Sequence, residues 1–172
     1  MRNKREILLF GLGTLCLVTL ISCNQKADEE ALVDELIIEP LVGIGPVQFD
    51  MSKEEVIKHF GPPDKVFADG TKLNYVSSKG LSFTIDSELG MQEIGCWSKG
   101  MLPSRVTTFT GRTKEGIEIG DTQEQIVAAY GQPDRTSTDS KGIIQNLLYD
   151  GLQARFSLKE GKLMSMTLKA PK

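Results

Sequence analysis

Histidine occurs once in the 172 residues, tryptophan once and cysteine three times, and aromatic residues make up only 6% of the chain. One histidine, His59, leaves little from which to assemble general acid–base catalysis or a histidine-bearing metal site. It sits on an expected helix with no partner at a catalytic spacing, so it is read as a solvated surface residue, and no Ser-His-Asp arrangement emerges. Phosphate cradles are missing as well: Gly43-Ile44-Gly45 lacks the glycine and lysine context that holds a nucleotide, and turn chemistry accounts for it. Asp134, Asp139 and Asp150 are too scattered for a calcium loop. A formal charge of −3 gives no basic surplus with which to hold nucleic acid. No cofactor and no metal is expected, and the chain is read as a non-enzyme.

What is present begins with a targeting segment. Arg2, Lys4 and Arg5 form a positive start, and Ile7 to Ile21 is an almost unbroken apolar run of 15 residues, shorter than the roughly 20 that span a bilayer. The run ends in Leu20-Ile21-Ser22-Cys23, which resembles the lipobox of bacterial lipoproteins: a branched apolar residue, a small one, then the cysteine. The resemblance implies removal of residues 1–22, lipidation of Cys23 and attachment of the mature protein to a membrane of the cell envelope. Asn24 is not the aspartate associated with inner-membrane retention, so in a Gram-negative cell the periplasmic face of the outer membrane is the expected location. Cys16 would leave with the signal, making Cys96 the one thiol not lipidated and excluding an intramolecular disulfide. Its place on an inward strand face marks Cys96 as a small buried hydrophobe.

Residues 23–43 carry six acids from Asp28 to Glu39 against one base, Lys26, and read as a lipidated tether, although Ala31 to Ile38 has enough apolar content for a short helix or a docking strand. An internal repeat follows. Phe49–Asp64 aligns with Ile119–Asp134 at an offset of 70 with four identities in 16 positions: Glu54/Glu124, Gly61/Gly131, Pro63/Pro133 and Asp64/Asp134. Ser52-x-x-Glu55 and Thr122-x-x-Gln125 are both capping boxes that announce a helix. Val56, Ile57 and Phe60, like Ile126, Val127 and Tyr130, share one helix face, and a Gly then a Pro end each helix.

Segments with period-2 alternation come next, Lys72–Val76, Leu81–Asp86 and Met91–Trp97 in the first unit and Ile143–Tyr149, Leu152–Leu158 and Lys162–Leu168 in the second. The expected fold is therefore α+β, two repeats of a short helix and a three-stranded antiparallel meander, with room for extra edge strands at Gly45–Phe49 and Gly116–Ile119. The first repeat spans 44–99, a connection 100–113, the second repeat 114–172. Inward positions run from Leu73, Tyr75 and Leu81 to Cys96, and in the second unit from Leu147 through Phe156 to Met164, Met166 and Leu168. A single unit of this size buries too little surface to stand alone, so the two are expected to share a body.

The helix-turn stretches Phe49-Asp50-Met51-Ser52 to Gly61-Pro62-Pro63-Asp64 and Ile119-Gly120-Asp121-Thr122 to Gly131-Gln132-Pro133-Asp134, with the strands after them, resemble the BamE/SmpA-type small lipoprotein domain and the tandem-repeat fold of the β-lactamase inhibitory proteins. That resemblance implies protein binding, either as an accessory of outer-membrane β-barrel assembly or by clasping a partner on a concave sheet.

The outward strand positions support a binding surface. Asn74, Ser82, Thr84, Gln153, Arg155, Ser157, Ser165 and Thr167 alternate away from the expected core, and Glu93 and Trp97 share that phase. Trp97, Glu93, Arg155, Gln153 and Asn74 are the candidate partner-binding residues, since tryptophan and arginine concentrate binding energy at interfaces. For Trp97 a second reading stands beside the first, in which it packs under the Met101–Phe109 connection and joins the two units. The function expected is a membrane-anchored, non-enzymatic module that binds an envelope protein. The alternatives are a structural or stress-protective envelope lipoprotein and a surface enzyme inhibitor.

Overall fold

The computed structural model describes residues 36–67, 70–101 and 105–172; the expected signal segment 1–22, the expected lipid site Cys23 and the first part of the expected 23–43 tether lie outside them. Among the described residues the chain runs through β1 (Ile37–Glu39), β2 (Gly43–Ile44), β3 (Val47–Gln48), α1 (Lys53–Phe60), β4 (Lys65–Phe67), β5 (Lys72–Tyr75), α2 (Val76–Lys79), β6 (Leu81–Asp86), β7 (Gly90–Trp97), β8 (Arg112–Thr113), α3 (Gln123–Tyr130), β9 (Arg135–Thr138), β10 (Ile144–Tyr149), β11 (Ala154–Lys159) and β12 (Lys162–Lys169).

Local chemistry sets both helix starts. Glu55 N–H donates to Ser52 Oγ at 3.4 Å while Ser52 N–H donates to Glu55 Oε2 at 2.8 Å. Gln125 N–H donates to Thr122 Oγ1 at 3.3 Å and Thr122 N–H to Gln125 Oε1 at 2.9 Å. Each box satisfies two amides that the first helical turn leaves without partners. The helices end at Gly61 and Gly131, with φ of +76° and +79°, a conformation in which a Cβ is costly. The aspartate after each glycine then ties the turn to the sheet. Asp64 Oδ2 accepts from the Ser77 and Ser78 amides at 2.8 and 2.9 Å, and Asp134 Oδ2 accepts from the Asp150 amide at 2.6 Å. Tyr75 and Tyr149 close the arrangement by donating their hydroxyls to the carbonyls of Gly61 and Gly131, at 2.7 and 2.9 Å.

The expected α+β pair of three-stranded meanders is not what forms. The body is mostly sheet, an eight-stranded antiparallel sheet in the order β4-β5-β6-β7-β12-β11-β10-β9 and a four-stranded mixed sheet in the order β3-β2-β1-β8. Three causes account for the difference. Lys65–Phe67 and Arg135–Thr138 add an outer strand on each side, and both are exposed throughout, so neither shows the burial alternation by which a strand is read. β7 and β12 pair antiparallel from Trp97↔Ser165 to Lys169↔Glu93, merging what would have been two sheets. The tether reading of 23–43 also gives way over its described part, because β1 pairs antiparallel with β2 and parallel with β8. The Leu36-Ile37-Ile38 run finds in Arg112–Thr113 a partner strand, and Ile38 is completely buried.

One core lies between the layers. Val56 of α1, Ile126 of α3 and Ile38, Ile44 and Val47 of the small sheet pack on a single face of the large sheet. Under each helix sits an aromatic triad: Phe60, Tyr75 and Phe83 with ring centroids 5.2 to 5.9 Å apart, and Tyr130, Tyr149 and Phe156 with centroids 5.4 to 5.8 Å apart. Such pairs contribute about 0.5–1.5 kcal/mol each beyond area burial. The inward phase needs one correction. Register shifts between Thr84 and Ile85 and between Ser157 and Leu158 turn Met91 and Leu163 into the core, while Met164, expected inside, is only partly buried. A one-residue bulge moves every later side chain to the other face.

Candidate functional site

With α1, α3 and the small sheet on one side, the other side of the large sheet is left to the opposite alternating set of residues. One register line crosses all eight strands, from Lys65 through Ser82, Gly95, Thr167 and Arg155 to Arg135. A second runs from Trp97 through Ser165, Ser157 and Asn146 to Ser137. The hydroxyls expected to make this a polar surface form its floor instead: Ser82, Ser157, Ser165 and Thr167 are 2–4% exposed, sunk between longer neighbours. They are hydrogen-bonded there. Ser157 Oγ donates to Asn146 Oδ1 at 2.7 Å and the Arg155 guanidinium donates to Thr167 Oγ1 at 3.2 Å.

Trp97 stands on this face, partly exposed. Its Nε1–H donates to Ser82 Oγ at 3.1 Å, and the ring lies across Gly95, where a Cβ would come within 2.8 Å of Nε1 and 2.9 Å of Cζ2. The connection reaches this strand end, where Phe109 N–H donates to the Trp97 carbonyl at 2.9 Å. Glu93 and Arg155 occupy the same face, Glu93 opposite Lys169 and Arg155 opposite Thr167. Asn74 is in register with them, yet its Oδ1 accepts from the Val76 amide at 2.8 Å and so shapes the β5–α2 turn. Gln153 departs from its expected strand position. It lies before β11 in a left-handed turn (φ 49°), with Nε2 donating to the Asp150 carbonyl at 2.6 Å.

The face has a local twofold axis. Gly95 and Thr167 are direct partners, and the pairs flanking them, Trp97↔Ser165 and Lys169↔Glu93, exchange under that rotation. Trp97 is therefore the counterpart of Lys169, and Ser82, opposite Gly95, is the counterpart of Arg155. In the second half the rotation replaces an indole and a serine by two cations. There the surface opens into a hollow of about 270 Å³ whose lining includes Arg135, Leu148, Arg155, Thr167, Lys169 and Lys172. A neighbouring hollow of about 420 Å³ shares Lys169 and Lys172 and reaches Glu93. Arg135 is already engaged, with Nε and an Nη on the two oxygens of Asp150 at 2.9 and 2.6 Å. That hydrogen-bonded guanidinium holds the Asp150 carboxyl below the usual aspartate range. Sequence reasoning missed Arg135, Lys169 and Lys172. Lys169 follows the outward phase of Ser165 and Thr167, a signal that was available; Arg135 lies on a strand that shows no alternation.

Charge has the opposite sign around the start of α1. A hollow of about 650 Å³ there is lined by Asp50, Glu54, Glu55, Asp86 and Glu88. Asp86 is committed to its own turn, accepting from the Glu88 and Leu89 amides at 2.8 and 3.0 Å, which holds its carboxyl below the usual range. Among the described residues no group of three or more His, Cys, Asp or Glu converges as metal ligands would. His59 is exposed on α1. Cys96 is completely buried in the core, and burial pushes its thiol well above the ordinary cysteine range, which suppresses the reactive thiolate.

The site is thus the face of a broad antiparallel sheet opposite α1 and α3, carrying the indole of Trp97 in one half and a hollow ringed by cations in the other. No protein-family model matches the chain, and no curated protein matches it. Among solved structures it is similar to a DUF4309 family protein (YjgB) from Bacillus subtilis, at 19% identity and a TM-score of 0.46, over 70% of this chain and 78% of that one. Among the described residues no helix is long and apolar enough to cross a membrane.

Proposed function

We propose that the protein is a non-enzymatic binding module of the cell envelope, tethered through lipid on Cys23, that offers the helix-free face of its large sheet to a protein partner. The observation that carries the reading is Trp97: a partly exposed indole held by Gly95 and Ser82 on the face opposite α1 and α3. Tryptophan presented on a rigid floor is the kind of anchor around which interface energy concentrates, and a rigid floor limits the entropy lost on binding. The anchor rests on the charged start, the apolar run and the Leu20–Cys23 box. Accessory service in outer-membrane assembly, which the BamE resemblance implies, is the narrower form of the same proposal.

The test is crosslinking in the native envelope from a photoreactive residue at position 97, followed by mass spectrometry. A reproducible protein adduct, absent when the residue is placed at His59 on the helix layer, is the expected result. Adducts confined to this chain itself would overturn the reading. The anchor is tested separately: Cys23→Ser should abolish incorporation of labelled palmitate, and persistent labelling would remove Cys23 as the lipid site.

A further inference from the structure

We infer that the partner presents acidic side chains to the helix-free face, and that the hollow beside Arg155 and Lys169 receives one of them. This rests on the protein-binding reading and specifies the chemistry of the partner.

Charge distribution carries the inference. The chain as a whole is acidic, at a formal −3, and acids crowd the hollow beside α1. The helix-free face has the other sign: Lys65, Lys72, Arg135, Arg155 and Lys169 stand on its register lines, with Glu93 and Asp150 as the opposing acids. Asp150 pairs with Arg135 and also feels the charge of Lys172, but among the described residues Arg155 and Lys169 enter no ion pair. Self-repulsion of clustered cations is tolerated where an anion will meet them, and complementary potential both steers encounter and rejects wrong partners.

Shape narrows the choice of anion. The recess has Leu148, the Thr167 hydroxyl and the Arg135-bound carboxylate of Asp150 in its lining alongside Arg155, Lys169 and Lys172, and is large enough for a side chain bearing a carboxylate. Arg155 is oriented by its bond to Thr167, and a guanidinium so fixed keeps further N–H donors for a carboxylate. A flat anionic bilayer would touch the protruding tips of Lys169 and Lys172 and leave the recess empty. Trp97, one strand pair away on the same face, supplies apolar contact beside the charge, which suits a peptide segment mixing acids with apolar residues.

The experiment uses the full lipidated chain in phosphatidylcholine nanodiscs and fluorescence polarisation of a labelled peptide alternating glutamate with leucine. A lysine–leucine counterpart and vesicles containing phosphatidylglycerol serve as competing probes. We expect the acidic peptide alone to bind, with affinity falling about tenfold or more in R155E and in K169E, as removing one partner of a charge-assisted contact does. K58E, an equal change of charge on the helix layer, should leave binding in place. R155Q provides the same reading should R155E fail to fold. Acidic-peptide binding that ignores Arg155 and Lys169 would overturn the inference. So would vesicle binding that depends on them without peptide binding, which would assign the face to a membrane surface, and so would salt-sensitive self-association lost in K169E, which would assign it to a second copy. Protein adducts from position 97 that persist unchanged in both reversals would sink the acidic partner and leave the protein-binding reading standing; adducts to no protein would sink that reading itself.

Discussion

The two halves of the large sheet are built alike below and differently above. Below, each half has a capped helix, a positive-φ glycine, a tyrosine on that glycine's carbonyl and a triad of rings. Above, Trp97, Gly95 and Ser82 in one half correspond to Lys169, Thr167 and Arg155 in the other. Both sets of positions obey the same sheet geometry, so the backbone does not impose the difference. Core positions are constrained by close packing, where even a methylene is felt, whereas face positions are constrained by whatever meets the face. The comparison therefore separates the part of the molecule that close packing fixes from the part that packing leaves free to differ.

The most forceful way to break the comparison is to remove the matching ring from each triad. Phe83 and Phe156 are both almost completely buried, and Phe→Ala at such sites costs about 3–5 kcal/mol through lost transfer energy and a residual cavity. F83A and F156A should therefore shift the urea midpoint by similar amounts, and the double variant should not fold. A loss confined to one of the two would show that the halves are not equivalent scaffolds.

A sharper test addresses the upper side. Adding a Cβ at Gly95 forces the indole off its seat, since Ser82 Oγ, Nε1 and Cζ2 of Trp97 all lie within 2.9 Å of it. G95A should cost about 1–3 kcal/mol, the usual range for overpacking. It should also move tryptophan emission to the red, and Trp97 is the chain's one tryptophan. T167V at the twin position removes the hydroxyl that accepts from Arg155 at nearly constant shape, about 0.5–1.5 kcal/mol, and should leave emission unchanged. An unaltered spectrum in G95A would mean that the glycine does not hold the ring.

How much of this was legible beforehand follows from which positions carry a period. Ser52, Glu55, Thr122 and Gln125 declared both helix starts, because a capping box is local chemistry. Leu73, Tyr75, Phe83, Leu147 and Phe156 declared their inward phase because one sheet face is buried. Lys65–Phe67 and Arg135–Thr138 are edge strands exposed on every residue, so no alternation exists to read, and with them the width of the sheet was missed. The bulges after Thr84 and Ser157 reversed the phase of Met91 and Met164 for reasons set by pairing, not composition. The union of the halves through β7 and β12 and the docking of Ile37–Glu39 beside Arg112–Thr113 are nonlocal: the apolar content up to Ile38 allowed a docking strand, but neither pairing partner was marked in the segments themselves. At the site, Trp97, Glu93 and Arg155 were legible as outward residues. The basic hollow was not, because it is assembled from β9, β10, β11, β12 and the chain end.

Smaller effects are expected at the helix starts. Ser52→Ala and Thr122→Ala each remove the side-chain acceptor of a capping box, which typically costs about 1 kcal/mol. Urea denaturation should find the two losses similar and additive, since the helices lie under different halves of the sheet. A Thr122→Ala loss far above that of Ser52→Ala would show that the second helix start carries more than its cap.

The finest distinction between the halves is chemical. The N3 residue of the first box is Glu55, which titrates, and of the second is Gln125, which does not. The Ser52 amide, and after it the Ser52 hydroxyl, hold the Glu55 carboxyl below the usual glutamate range. A group whose pKa is lowered on folding contributes stability that is present above its unfolded pKa and is lost as pH falls through the folded value. Glu55→Gln keeps the reach back to the Ser52 amide and removes the titration, converting the first box into the chemistry of the second. Wild type should therefore lose urea resistance relative to E55Q as pH falls from about 5 to about 3. Glu124, Asp86, Asp139 and Asp150 are also held low, but both proteins carry them, so their contribution cancels in the difference. Parallel curves for wild type and E55Q across that window would show that the glutamate's charge adds nothing to the cap, and the two helix starts would then be equivalent in chemistry as well as in geometry.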